Sequence, residues 1–234
     1  MVLSGWAARA AGARSHLVLM QVLTFTTGIN DAVGYLGLDK VFTGNMTGNV
    51  VIFGMGLAGV DELPVLGPVL ALVGFMAGAA VGGRALKRAT GAWTTVTTAL
   101  IAVVAVVMLG IAAVVWIRGD GFAGAWMYSV TTAAAAAMGL QAATARHIAV
   151  KDVTTVVVTS TITGLAADSM FGRGVGGGTS RRIFAVALML AGACVGALLL
   201  KVHASAAFVT AGVLILAVAV IGGIGARSEQ PSAA

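Results

Sequence analysis

A chain of 234 residues that is 59% hydrophobic and only 9% charged, with a mean hydropathy of +1.02, is far more apolar than a soluble domain, in which about a quarter of residues are charged. The composition marks an integral membrane protein whose first partner is the lipid bilayer. A net charge of +6 does not point to nucleic acid, because the 14 Lys and Arg residues lie in small groups between apolar segments, with no basic face interleaved with aromatics.

Arg9 and Arg14 followed by an apolar run from Leu17 could open a secretory signal, but the run continues through Thr24, Thr26 and Asn30 to Leu38 with no small-residue cleavage pattern. It reads as a retained first membrane helix. With about 20 apolar residues needed to cross about 30 Å of hydrocarbon, hydropathy predicts segments at 17–38, 44–60, 64–83, 93–117, 122–145, 153–170, 183–200 and 204–225. The joints between them are short and polar: Asp39-Lys40, Asp61-Glu62, Arg84 to Arg88, Arg118 to Asp120, Arg146 to Asp152, the glycine-rich 172–182 and Lys201 to His203. The tail 227–234 is small and polar and is expected to be flexible. Cys194, the single cysteine, sits inside an apolar run as a packing residue, which excludes a disulfide framework.

The segments form two similar halves. FTGNMTGN at 42–49 lies over VTSTITGL at 158–165, and GINDA at 28–32 lies over GLQAA at 139–143; the offset grows from 111 (28 to 139) to 116 (47 to 163). Repeat one covers about 17–117 and repeat two about 122–226.

Charge tests the topology. If all segments span, Lys and Arg divide evenly between the two sides. If 44–60 and 153–170 instead enter and leave by one face, Arg9, Arg14, Arg84, Lys87, Arg88, Arg146, Lys151, Arg173, Arg181, Arg182 and Arg227 share a side, and only Lys40, Arg118 and Lys201 lie opposite. That asymmetry fits the positive-inside rule, with both termini cytoplasmic. Making 17–38 and 122–145 the non-spanning segments gives nearly as good a division. The shorter, threonine-rich segments are preferred as the broken ones, because non-helical backbone at membrane depth needs polar partners. The expected fold is therefore all-α: a polytopic membrane bundle of two inverted repeats, each with three spanning helices and one short non-spanning helical segment.

Polar residues inside such segments are candidate functional groups. Asp31, beside Asn30, is either a coupling or ligand group or a hydrogen-bond anchor for the following short segment, and Ala142 takes its place in repeat two. Thr43, Asn45, Thr47 and Asn49 surround the start of a short helix, where free N–H groups favour an anion or polar solute. Thr161 and Thr163 are their counterparts, and Gln141 lies in the GLQAA echo. Two such ends meeting near the midplane would form a site for a small polar solute or ion; alternatively these side chains cap and fasten helices. Gly74, Gly78 and Gly82, with Gly192 and Gly196, form small-residue faces for close helix packing, within one chain or in a homo-oligomer. Arg146 and His147 read as flank anchors; a pairing of Arg146 with Asp168 or Asp31 has no support in the sequence. Trp6, Trp93, Trp116 and Trp126 fall near segment ends.

The run GINDAVGYLGLDKVFTGNMTGNVVIFGMGLA at 28–58, with its weaker echo TSTITGLAAD at 159–168, resembles the YoaK family of bacterial membrane proteins. The resemblance implies a multi-pass protein of the bacterial cytoplasmic (inner) membrane with about six helices, and it supplies no substrate or reaction.

No catalytic, cofactor or metal signature stands out. His16, His147 and His203 are scattered at helix ends without E-x-x-H or C-x-x-C context, no G-x-S-x-G occurs, and the glycine-rich 172–178 lacks the Lys-Ser/Thr of a phosphate loop. A small-solute transporter or channel is the leading expectation, a non-transporting scaffold or accessory protein the alternative, and a membrane enzyme the least supported class.

Overall fold

The computed structural model describes residues 2–60, 62–119, 121–148, 158–168 and 179–229, with the side chains of 2–14, 158, 228 and 229 set aside. Asp61, Asp120, Lys151, Asp152, the glycine-rich 172–178 with Arg173, and the side chains of Trp6, Arg9 and Arg14 therefore lie outside the described set. Every described element is helical: α1 (Val2–Gly37), α2 (Met46–Leu57), α3 (Leu66–Leu86), α4 (Thr95–Arg118), α5 (Gly124–Ile148), α6 (Val158–Ala167), α7 (Thr179–Leu200) and α8 (Ala204–Glu229). The result is a polytopic helical bundle with two short members, α2 and α6, among long ones.

Local chemistry sets several ends. The Thr94 hydroxyl accepts from the Thr97 N–H while the Thr97 hydroxyl accepts from the Thr94 N–H, a reciprocal cap that starts α4. Gly119, at φ +83°, ends it. The tail expected after 226 is helical as far as Glu229, since nothing from Ala226 to Glu229 breaks a helix; the next proline in the chain is Pro231. At the other terminus α1 starts at Val2, well before the apolar stretch, because the alanine-rich 7–11 propagates helix.

Among the described residues, five helices are long and apolar enough to cross a membrane: Ser15–Gly37 within α1, α3, α4, α7 and Ala204–Arg227 within α8. The expected sixth, α5, has 25 residues, about 37 Å, but is less apolar. It is an interior helix: Thr131, Gln141 and Thr144 are among its buried residues, and protein neighbours, not lipid, surround its polar face. Outward faces elsewhere carry large apolar residues, as at Val81, Val106, Ile117 and Leu190.

Helix directions follow from pairwise contacts. Gly74, Gly78 and Gly82 of α3 face Thr132, Ala136 and Leu140 of α5 in turn, so α3 and α5 run parallel. Gly192 and Gly196 of α7 face Phe25 and Ile29 of α1, also parallel. Trp93 and Leu109 at α4 meet Gly222 and Gly212 of α8, so α4 and α8 run antiparallel. These three pairs are the main packing contacts of the bundle. The glycine faces expected for helix packing are thus used within the chain. A Cβ on Gly78 would collide with the Ala136 carbonyl, and one on Gly192 with the Phe25 carbonyl. With no hydrophobic drive between helices in lipid, such backbone proximity is what holds them.

One end of the bundle gathers His16 stacked on Trp93, and His147 hydrogen-bonded to the Gly91 carbonyl. The opposite end gathers Trp116 against His203, Arg118 over Trp126, and Gly37 beside Leu200 and Phe122.

Candidate functional site

At the end of α1 the chain doubles back. Lys40 N–H reaches back to the Tyr35 carbonyl, closing the helix, and Asp39 and Lys40 both take φ of +59°. Such φ values are uncommon for non-glycine residues and impose a sharp reversal. Residues 41–44 then run back along α1: a Cβ on Gly34 would meet the Val41 carbonyl, and one on Gly44 would lie 3.1 Å from Thr27 Cγ2 and 3.3 Å from Asp31 Oδ1.

The carboxylate of Asp31 fixes that returning strand. Its Oδ1 accepts from the Gly44 N–H at 2.6 Å and the Asn45 N–H at 3.3 Å, with the Thr43 hydroxyl at 3.5 Å. Asn45 caps α2 by accepting the Gly48 N–H at 3.1 Å. Asn49 bonds twice to Phe42, accepting its N–H at 2.9 Å and donating to its carbonyl at 2.7 Å. The helix therefore leaves the turn in the direction from which the strand came. Lys40 Nζ donates to the Glu62 carbonyl at 3.0 Å and lies 3.9 Å from its carboxylate, so the chain enters and leaves α2 at one end of the bundle. A 12-residue helix, about 18 Å long, does not cross.

The second short element is fastened differently. Arg182 Nη1 of α7 donates to the Gly164 carbonyl and to Asp168 Oδ2, each at 2.8 Å. Asp168 is thus paired with Arg182, not with Arg146.

The two T-G segments are not brought together among the described residues. α2 packs on α3 and α6 on α7, with no contact between α2 and α6. Thr43, Asn49 and Thr161 are buried, whereas Asn45, Thr47 and Thr163 are exposed on the outside of the bundle. Polar chemistry converges elsewhere, where α1 crosses α5 with the two helices antiparallel. Gln141 Nε2 donates to Thr27 Oγ1 at 3.2 Å and approaches the Leu23 carbonyl at 3.5 Å; Asn30 Nδ2 donates to Met138 Sδ at 3.3 Å. Thr24 and Thr27 bond back to carbonyls of their own helix, so they add no unmet demand. Among the described residues, three buried acceptor atoms at the crossing have no partner: Asn30 Oδ1, Asp31 Oδ2 and Gln141 Oε1. Thr27 stands out in sequence only as one of the threonines upstream of Asp31, and Met138, a methionine in an apolar helix, reads as packing; that both shape this crossing comes from the pairing of α1 with α5.

A family model described as "Protein of unknown function (DUF1275)" matches residues 19–221. The chain belongs to this family. A relative is the "UPF0700 transmembrane protein YoaK" of Bacillus subtilis (strain 168), 28% identical over 151 residues, covering 64% of this chain and 65% of that protein. The expected kinship with YoaK is therefore correct, and the matched region spans just under two thirds of that relative's length. No solved structure matches. The DUF1275 match includes the α1 turn, both short helices and the α1–α5 crossing.

Proposed function

We propose that this DUF1275 protein is a small-solute transporter or channel-like protein, built as an inverted repeat around the α1–α5 crossing. The observation that carries the reading is how the contacts pair. Adding 111 to a position in α1, or 114 to one in α3, turns one set of contacts into the other. Phe25–Gly192 becomes Ala136–Gly78, and Ile29–Gly196 becomes Leu140–Gly82. At the centre, Asn30 with Met138 becomes Gln141 with Thr27. Since α1 and α5 are antiparallel, the halves are related by a two-fold axis in the membrane plane, the arrangement of many secondary transporters. Buried amides and a carboxylate at that axis are expensive in hydrocarbon, and such residues mark solute or ion paths.

The distribution of charge supports an orientation. Arg84, Lys87, Arg88, Arg146, Arg181, Arg182 and Arg227 flank helix ends on the His16 side, against Lys40, Arg118 and Lys201 on the other. By the positive-inside rule both termini face the cytoplasm of a bacterial inner membrane. No enzymatic role is proposed: His16, His147 and His203 stack or hydrogen-bond at helix ends and stand apart from the polar α1–α5 crossing.

One observation favours the alternative, a non-transporting scaffold or accessory protein: Asp31 Oδ1, Asn45 and Asn49 all serve to fasten the turn before α2. Solute flux into proteoliposomes decides between the two. Native protein should carry a polar solute or ion that empty liposomes do not, and Gln141→Leu should abolish that flux while preserving the fold. Flux equal to empty liposomes over a broad panel of solutes would leave the scaffold.

A further inference from the structure

We propose that the α1–α5 crossing binds a monovalent cation, ligated by Asp31 Oδ2, Asn30 Oδ1 and Gln141 Oε1. The inference deepens the transporter reading and rests on it for the role of the ion.

The unmet groups at the crossing are all of one kind. The Leu23 carbonyl and the Thr27 hydroxyl, which itself donates to that carbonyl, draw the Gln141 amide nitrogen to their side, so Oε1 points the other way. Asn30 gives its nitrogen to the Met138 sulfur, leaving Oδ1 over. Asp31 commits Oδ1 to the Gly44 and Asn45 N–H groups, leaving Oδ2. Asn30 and Gln141 are 0% exposed and Asp31 5%. They share one small region: Asn30 and Asp31 are successive on α1, Gln141 faces Thr27 one turn away, and Thr27 and Met138 both abut Gly44.

Each unserved acceptor costs about 1–3 kcal/mol. A water molecule has two protons and could serve only two of the three oxygens, leaving the third unmet. A cation satisfies all three at once, and carboxylate and amide oxygens are the ligands hard cations prefer. One carboxylate with two neutral amides carries a charge of about −1, which a monovalent ion cancels; a divalent ion would leave a net positive charge in a low-dielectric interior.

The test uses full-length protein in detergent. Thermal unfolding is followed in sodium, potassium and choline chloride at equal ionic strength, alongside equilibrium binding of radiolabelled sodium and rubidium. The expected result is a higher midpoint in one alkali chloride than in choline, and saturable binding of that ion. Gln141→Leu and Asp31→Asn should each weaken binding about tenfold or more, while Thr24→Val, which loses only a bond within α1, leaves it unchanged. Equal midpoints in all three salts without saturable binding would overturn the inference and leave water at the crossing. Saturable binding that Gln141→Leu does not weaken would overturn it too, by placing the ion elsewhere. Solute flux without ion binding would sink this inference alone; ion binding without any flux would sink the transporter reading and leave the site as a structural one.

Discussion

Replacing Asp31 by alanine should loosen the turn before α2 and leave α1 helical. Two main-chain donors reach Oδ1, Gly44 at 2.6 Å and Asn45 at 3.3 Å, while the Thr43 hydroxyl at 3.5 Å is too distant to count for much. Hydrogen bonds to a charged acceptor contribute about 1.5–3 kcal/mol each, so the two together hold the strand by about 3–6 kcal/mol. In choline chloride, where no alkali ion meets Oδ2, alanine also removes that unpartnered oxygen, returning about 1–3 kcal/mol, and the net loss is about 2–3 kcal/mol. Asp31→Asn keeps an oxygen for the same two donors but makes both bonds neutral, at about 0.5–1.5 kcal/mol each, and should give up about 2–3 kcal/mol of bonding. Two measurements check this in a Cys194→Ala background, since Cys194 is exposed. Thermal unfolding in detergent gives the global loss. Thiol labelling of Thr43→Cys gives the local one, because Thr43 is 0% exposed and should become reactive only when the strand leaves α1. An Asp31→Ala protein within about 0.5 kcal/mol of native stability, with residue 43 still protected, would refute the anchoring role.

Close packing offers a sharper contrast. Gly139→Ala places a methyl group against the Phe75 carbonyl and should cost about 3 kcal/mol or more, whereas Gly83→Ala meets nothing within 4 Å and should be neutral or slightly stabilising in the same unfolding assay. Cysteines at Lys40 and Glu62 should react with a membrane-impermeant thiol reagent from the same side of the membrane, and a cysteine at Arg84 from the other; labelling of 40 and 62 from opposite sides would mean that α2 crosses. Arg182→Met should free the end of α6, costing about 1–3 kcal/mol for the charged bonds to Asp168 and Gly164, read as faster proteolysis near Gly164. Glu62→Gln should change stability by less than about 0.5 kcal/mol, because its side chain is 88% exposed.

Much of the fold was written in hydropathy. All eight segments appear as helices near their expected positions, because runs of that length and composition have no other way to satisfy their backbone in lipid. The broken character of 44–60 was legible too, since FTGN places turn and capping residues where a spanning helix would continue. What hydropathy could not convey was pairing. Expecting the two T-G segments to meet assumed that equivalent elements lie at the symmetry axis, whereas α2 and α6 each pack against one long helix at the periphery. The polar residues at the α1–α5 crossing could be picked out individually, as Asn30, Asp31 and Gln141, but their joint role depends on pairing with Thr27 and Met138 across the two helices, which sequence does not convey.

On the inverted-repeat reading, the two halves are alike in packing and unlike in charge, and the difference has a physical reason. Asn30 and Gln141 occupy equivalent places and supply one amide each, so the scaffold delivers a symmetric pair of carbonyl oxygens to its axis. Asp31 corresponds to Ala142. A second carboxylate there would stand within about a turn of the first, and two like charges at that range repel strongly when little water separates them. The turn before α2 makes the single carboxylate affordable: two backbone N–H groups satisfy one of its oxygens and leave the other for the crossing. The same group can therefore hold the broken segment in place and give the axis its one negative charge, so that displacing the strand from α1 would expose both oxygens and change the charge environment at Asn30 and Gln141 together.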